Sequence, residues 1–322
     1  MKVSVLMPVC NGGATIEATL KSVLEQTAPA DEILVMNDGS TDDTAAIVSS
    51  HRPQVTLLSQ PNGGVASARN ALCQRAQGDI LAFLDADDIW HPEYLKVQRR
   101  LLEEYPSAVA SYTGHLDFYG YDDYLWPHEP PNAHGDTELM TPLQFLVRYN
   151  RATGPFASMS YCCTRSNSLR KIGDTPFRVD GVDDSYLACA LALAGPVIYA
   201  PKPPLVAYRV TPTSFSADRL KMYGRWVQVF ELMKPLYEAS GDSHLLRAFK
   251  LAFASKRRAY SKLLLGANQF AEAREQLRRS LEDSSNPASI AKSLTLLSIT
   301  YLPTGLHPAW PPRKRQWKGS PS

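Results

Sequence analysis

The chain has 322 residues, 44% hydrophobic and 20% charged, which describes an ordinary globular protein with room for one large domain and a smaller appendage. Its net charge of +2 gives no steering towards nucleic acid, so no nucleic-acid partner is expected. No run reaches the roughly 18 apolar residues of a membrane span, and Met1-Lys2 is followed by too few apolar residues for a signal peptide, so a cytoplasmic protein is expected.

In chain order, Val3 to Val9 reads as a buried strand that ends in the polar turn Asn11-Gly12-Gly13. Thr15 and Glu17 open a helix whose apolar residues Ile16, Leu20, Val23 and Leu24 repeat at helical spacing. A second strand, Glu32 to Met36, ends at Asn37-Asp38-Gly39-Ser40, and Ser40-Thr41-Asp42-Asp43 caps the next helix. Val55 to Leu58 is a third strand, followed by the turn Asn62-Gly63-Gly64 and a helix from Val65 to Ala76. Strands and helices alternating at this pitch predict right-handed βαβ units and a parallel sheet.

The fourth strand, Ile80 to Leu84, runs into Asp85-Ala86-Asp87-Asp88. Ligands of open α/β sheets bind outside the carboxyl ends of the strands, so these carboxylates stand where a ligand would be. Crowded carboxylates repel, and Mg²⁺ or Mn²⁺, which favour oxygen ligands and phosphates, would relieve that repulsion. The same residues also suit an acidic turn before the helix that begins near Pro92. No Gly-x-Gly-x-x-Gly follows the first strand and no Gly-Lys-Ser/Thr loop occurs, which removes the main support for dinucleotide or P-loop chemistry. A diphosphate held without either device needs a metal, for which Asp87 is the candidate ligand, and cations, for which Arg69 is the candidate. Asp38, in a turn that favours aspartate, is a candidate acceptor for a base or ribose. The five cysteines, Cys10, Cys73, Cys162, Cys163 and Cys189, have no metal-type spacing and read as reduced thiols in or near the core.

Four stretches resemble family 2 glycosyltransferases: Val3 to Gly12, Glu32 to Asp42, Asn62 to Asn70, and Gly78 to Asp88. The resemblance covers residues 1 to about 216, as a nucleotide-sugar half of about 1–106 and an acceptor half of about 107–216. It implies an α/β fold of the GT-A type, Rossmann-like, with a mostly parallel central sheet flanked by helices. It also implies inversion at the sugar carbon, a divalent cation (Mn²⁺ or Mg²⁺), and a nucleotide diphosphate sugar donor, UDP-sugar by family habit. By the same resemblance Pro8, Val9, Asn11, Asp38, Gly64, Arg69, Asp85 and Ala86 bind the nucleotide sugar, and Asp87 binds the metal. Asn37 stands where the family more often has Asp.

In the second half, Tyr112, Tyr119, Tyr121, Tyr124 and Trp126 sit among prolines in a long connection, available either for packing or for stacking on a sugar. His128 and His134 read as exposed loop residues. Gly154 to Cys163 resembles the family's acceptor-facing strand. Asp183-Asp184 resembles the family's Glu-Asp pair, with Asp183 in place of the Glu, and the resemblance implies that Asp184 is the catalytic base. An acceptor hydroxyl needs such a base, worth about 10²–10⁴ in rate, and the neighbouring Asp183 should raise Asp184's proton affinity. Both also suit an acidic helix N-terminus. Tyr208-Arg209 resembles the family's closing segment, with Thr211 where many members have a metal-contacting His.

From Asp218 the pattern is helical, a C-terminal appendage spanning 217–322. Gly266 to Leu277 resembles half of a tetratricopeptide hairpin, and Ser289 to Leu302 reads as a further helix. Residues 303–322 carry Trp310, Trp317 and Arg313-Lys314-Arg315, which suit either a peripheral contact with the inner face of the cell membrane or a solvated tail. The function expected is sugar transfer to a glycan or lipid-linked saccharide in cell-envelope or other glycan biosynthesis. Its rivals are a non-catalytic sugar-binding or scaffold protein and a sugar nucleotidyltransferase. The latter should show a basic glycine-rich loop after the first strand, which Asn11-Gly12-Gly13-Ala14-Thr15 is not.

Overall fold

The computed structural model describes residues 1–120, 124, 126, 137–151, 158–211 and 218–301, with side chains omitted at 149–151. Two compact units emerge, one within Met1–Thr211 and one within Pro212–Gly319.

The first unit opens with β1 (Val3–Val9), α1 (Ile16–Leu24), β2 (Glu32–Asp38), α2 (Thr44–Ser50), β3 (Thr56–Gln60), α3 (Val65–Arg75) and β4 (Ile80–Phe83). It continues with β5 (Ile89–Trp90), α4 (Tyr94–Glu104), β6 (Ala110–Tyr119), β7 (Glu138–Met140) and α5 (Pro142–Arg151). A 3₁₀ turn over Met159–Tyr161 leads to β8 (Cys162–Arg165), α6 (Ser166–Ile172), α7 (Asp183–Ala194) and β9 (Val197–Val210). The strands form one sheet in the order β3-β2-β1-β4-β8-β6-β9-β5, with β7 on β9. The expected parallel pairing holds from β3 to β4. Beyond β4 the sheet is mixed, because β8 runs antiparallel to both β4 and β6. All seven residues of β1 are buried, as expected for a strand covered on both faces. Each fully buried Val, Leu or Ile there contributes about 1.5–3 kcal/mol.

This topology puts the carboxyl ends of β1, β2 and β4 on one edge, with Asn11, Asp38 and Asp85 at their tips. The expected acceptor-facing strand is shorter than Gly154 to Cys163, because β8 begins only at Cys162; residues 152–157 lie outside the described residues. Cys162, Cys163 and Cys189 are buried free thiols, and Cys73 is half-buried. Cys10 departs from the expectation. It is exposed, because it lies past β1 in the loop, where its sulfur accepts from Asn62 Nδ2 at 3.2 Å.

The second unit contains α8 (Arg219–Ala239), α9 (Ser243–Gly266), α10 (Phe270–Glu282) and α11 (Pro287–Ile299). Local sequence starts three of them: Asp218, Asp242 and Asn286 each cap a first turn, and Pro287 sits where a helix tolerates it. Phe230, Phe249 and Tyr237 stack between α8 and α9, and buried Arg257 donates to Asp283, Gln276 and Glu231. No helix among the described residues is long and apolar enough to cross a membrane. The basic segment 303–322, His128 and His134 lie outside the described residues.

Candidate active site

The loop after β1 and the loop after β2 are tied together. Asn11, in the left-handed region at φ +52°, donates its N–H to Ser40 Oγ at 2.9 Å and accepts from Thr41 N at 2.8 Å. Gly12 N donates to Thr44 Oγ1 and Gly13 N to Asp42, both at 2.9 Å. Pro8 and Val9 are buried at the end of β1 beside this wall.

Asp38 closes β2 and is also buried. Its Oδ1 accepts from Gln60 Nε2 at 2.7 Å and Gly63 N at 2.9 Å, and its Oδ2 accepts from Gly64 N at 2.9 Å. A carboxylate has about four lone-pair sites, so one remains for a ligand. Gly64 starts α3 at φ +88°, and a Cβ there would meet Asp180 Oδ2 at 2.5 Å, so only glycine fits both the conformation and the approach. Asp180 Oδ1 in turn accepts from Ala66 N at 2.9 Å, capping α3 from 114 residues away.

The acidic stretch forms a turn in which Asp88 N donates to Asp85 O at 3.1 Å. Three other elements fix it. Thr15 and Thr19 hydroxyls donate to Ala86 O at 2.9 and 3.1 Å. Asp85 N donates to Ser160 Oγ at 3.0 Å. Arg209, 1% exposed, gives its N–H to Asp88 Oδ1 at 2.9 Å and its Nε to Asp87 O at 2.8 Å. Asp88 is fully buried, and burial followed by the charges of Asp87 and Asp85 holds its carboxyl well above the usual range. Asp87 is half-buried and makes no ion pair among the described residues. Burial, and then the charge of Asp85, pushes it up to about 6.

Arg69 joins this turn to the second half. It is 4% exposed, bridges Asp85 and Asp183 by one terminal nitrogen each, and lies 5.7 Å from the centroid of the Phe177 ring. Burial alone would lower its basicity, yet Asp183 and Asp85 outweigh that and hold the guanidinium above its usual range. Each terminal nitrogen donates to one carboxylate inside the protein, Asp183 or Asp85, so the guanidinium ties the acidic turn to the start of α7. Asp183 is 2% exposed, and burial raises its proton affinity against the pull of Arg69. Asp184 follows in the first turn of α7, half-buried, with Oδ1 accepting from Ser185 N at 2.6 Å and Ser185 Oγ at 3.2 Å. Burial, and then Asp183, pushes Asp184 up to about 7, where a general base is most effective.

Among the described residues, no group of three or more His, Cys, Asp or Glu side chains is placed to hold a metal ion. The donor set suits a divalent cation held by one carboxylate plus diphosphate and water. Asp87 is the candidate for that carboxylate, its proton affinity raised by burial and then by the charge of Asp85, against the pull of Arg209 and Arg69. Of the aromatic residues, Tyr112 is buried, while Tyr124 and Trp126 pack against each other at 4.9 Å. Tyr121 lies outside the described residues. An open cleft of about 540 Å³ runs along α3 opposite Thr175–Asp180, but its polar groups are largely committed. Ser67 Oγ accepts from Gln60, Asn70 bonds Phe177, and Asp180 caps α3. Sequence reading missed Ser160, Asp180 and the two threonines; the Asp180-Gly181 pair was a local turn signal, but nothing local marked its partner.

The model of glycosyl transferase family 2 matches residues 4–173, more than half of the chain. TuaG of Bacillus subtilis, named as a teichuronic acid biosynthesis glycosyltransferase, is 40% identical over 118 residues, covering 35% of this chain and 46% of TuaG. Chondroitin synthase of Pasteurella multocida is 37% identical over 98 residues, covering 30% of this chain and 10% of that protein. The matches thus span less than half the length of these curated relatives. Among solved structures, TarS 1-349 of S. aureus in complex with UDP-GlcNAc superposes with a TM-score of 0.68 at 16% identity, over 93% of this chain and 90% of that one. The mannosyltransferase PcManGT of Pyrobaculum calidifontis, in complex with GDP-Man and Mn²⁺, gives 0.54 at 21% identity, over 94% and 82%. At these identities the likeness is one of fold, the GT-A fold. The chain belongs to glycosyl transferase family 2.

Proposed function

We propose that residues 1–216 form the catalytic domain of an inverting glycosyltransferase that moves a sugar from a nucleotide diphosphate sugar to an acceptor hydroxyl, with 217–322 a helical appendage. One observation carries the reading. Arg69 bonds Asp85 of the acidic turn and Asp183 beside Asp184, so a donor-side and an acceptor-side carboxylate share one buried guanidinium. Asp184, raised to about 7, removes the proton of the acceptor hydroxyl as its oxygen attacks the anomeric carbon. The bond from that carbon to the diphosphate breaks, the nucleoside diphosphate leaves, and a single displacement inverts the centre. A divalent cation, held by Asp87 and the diphosphate, would supply Lewis-acid stabilisation of the leaving group. Pro8, Val9, Asn11, Asp38 and Gly64 form the wall against which the nucleotide would lie, with Asp85 and Ala86 at the ribose and diphosphate.

The complexes of TarS with UDP-GlcNAc and of PcManGT with GDP-Man support a nucleotide-sugar donor, and the first favours uridine. The acceptor is a glycan or lipid-linked saccharide, in keeping with relatives named for teichuronic acid biosynthesis and chondroitin synthesis. The test is a panel of UDP- and GDP-sugars with Mn²⁺, scored by release of the nucleoside diphosphate. Turnover of one donor is expected, abolished in Asp87→Ala. No turnover, and no binding of any donor by calorimetry, would leave a scaffold protein as the better account.

A further inference from the structure

The segment 177–184, which delivers Asp184, is held in an unfavourable backbone. Val179 sits at φ +66° and Gly181 at φ +77°. For a β-branched residue the left-handed region is a genuine outlier, and such strain persists only where the surroundings over-determine it. Here the over-determination comes from α3. Asn70 donates its Nδ2 to Phe177 O at 2.9 Å and accepts from Phe177 N at 3.0 Å, so one amide side chain pairs both backbone groups of a single residue. Phe177 is itself 2% exposed, edge-on to Phe83 of β4 at 5.2 Å. One turn earlier on the helix Ala66 N holds Asp180, and beside Asn70 the Arg69 guanidinium holds Asp183. The segment is pinned at 177, 180 and 183 by Asn70, Ala66 and Arg69, all within the first two turns of one helix.

We propose that Asn70 is a positioning residue for the base: by clamping Phe177 it keeps the strained segment, and with it Asp184, in the half-buried position the reaction needs. This rests on Asp184 acting as the base of a glycosyltransferase. Asn70 reaches Asp184 only through the segment. Its loss therefore leaves the nucleotide wall of Asn11, Asp38 and Gly64 intact while the base relaxes towards water. A displacement of about 1 Å in a catalytic group costs up to about 10²-fold in rate. Burial sets Asp184's proton affinity first, followed by Asp183 on its own helix, Arg69 on α3, the Ser185 amide and Asp85 after β4; the Tyr208 phenol on β9 also feels the charge of Asp184. A relaxed Asp184 loses burial and part of its repulsion from Asp183, so its titration moves down.

The experiment compares the full-length wild type with Asn70→Ala, using UDP-GlcNAc and Mn²⁺, or whichever nucleotide sugar of the panel is turned over. Donor affinity is read by calorimetry, and kcat for nucleoside diphosphate release is read against pH. The expected result is kcat lowered about 10–100-fold, donor affinity within about twofold, and the acid limb of kcat displaced below its wild-type midpoint. A merely structural role for Asn70 would lower the active fraction without moving that midpoint. Asn70→Asp keeps the volume but faces the Phe177 carbonyl with an acceptor. It covers the case in which the alanine variant does not fold, and should give the same pattern. Wild-type kcat, or an unmoved midpoint with donor binding retained, overturns the role of Asn70 and leaves the transferase reading standing. A wild type that turns over no donor overturns both.

Discussion

Asp38, at the end of β2, accepts three hydrogen bonds from Gln60, Gly63 and Gly64, whereas Asp184, in the first turn of α7, accepts among the described residues from its neighbour Ser185 alone. Both lie at the carboxyl edge of the same sheet unit, and both were read from the sequence as ligand-facing acids. The difference separates two uses of a carboxylate. One satisfied by backbone N–H groups is part of the scaffold, here fixing the Gly63-Gly64 turn that starts α3. One that is half-buried, poorly partnered and set beside another acid holds its proton near neutrality, and only that kind is ready to exchange a proton in a reaction. Asp87 belongs to the second kind as well, raised to about 6, while Asp183 is buried and paired with Arg69.

If this contrast is right, removing the two acids shifts stability in opposite directions. Asp38→Ala strands the Gly63 and Gly64 amides and should cost about 1–3 kcal/mol, read as a lower urea midpoint at unchanged slope. A variant as stable as wild type would break the contrast from the scaffold side. Asp184→Asn should do the reverse. The folded-state pKa of Asp184 is raised from 3.8 to about 7, so the fold favours its protonated form. No penalty exists below about pH 4; it accumulates as pH rises towards 7 and is constant above. The asparagine variant should therefore match wild type at pH 4 and melt higher at pH 8, by about 2–4 °C for each kcal/mol regained. A variant that melts lower at pH 8 would mean that the ionised Asp184 is stabilised by partners, and the contrast would fail.

Much of this was legible in the chain. The alternation of Val3–Val9, Glu32–Asp38, Thr56–Gln60 and Ile80–Phe83 with helices fixes four parallel strands, because buried strands and amphipathic helices write different periods. The acids at 85, 87, 88, 183 and 184 were visible as residue types after a strand or before a helix. What those acids meet was not visible. Arg69 lies in a helix with partners 16 and 114 residues away, and a helical arginine read alone looks exposed. Asp38 reads as a turn residue until Gly63 and Gly64 fold back onto it. Strand β9 was obscured by Pro201, Pro203 and Pro204. It tolerates them where its pairing with β6 is irregular, around Thr113, Gly114 and His115.

The central claim is that Asp184 is a base with its proton held near neutrality, and its most direct test is the pH dependence of kcat for nucleoside diphosphate release. The account predicts a rate that falls as pH drops through about 7, and a rate about 10²–10⁴-fold lower in Asp184→Asn, with the limb gone and donor affinity retained. A wild-type profile flat down to pH 5, or an asparagine variant that keeps the limb, would contradict it.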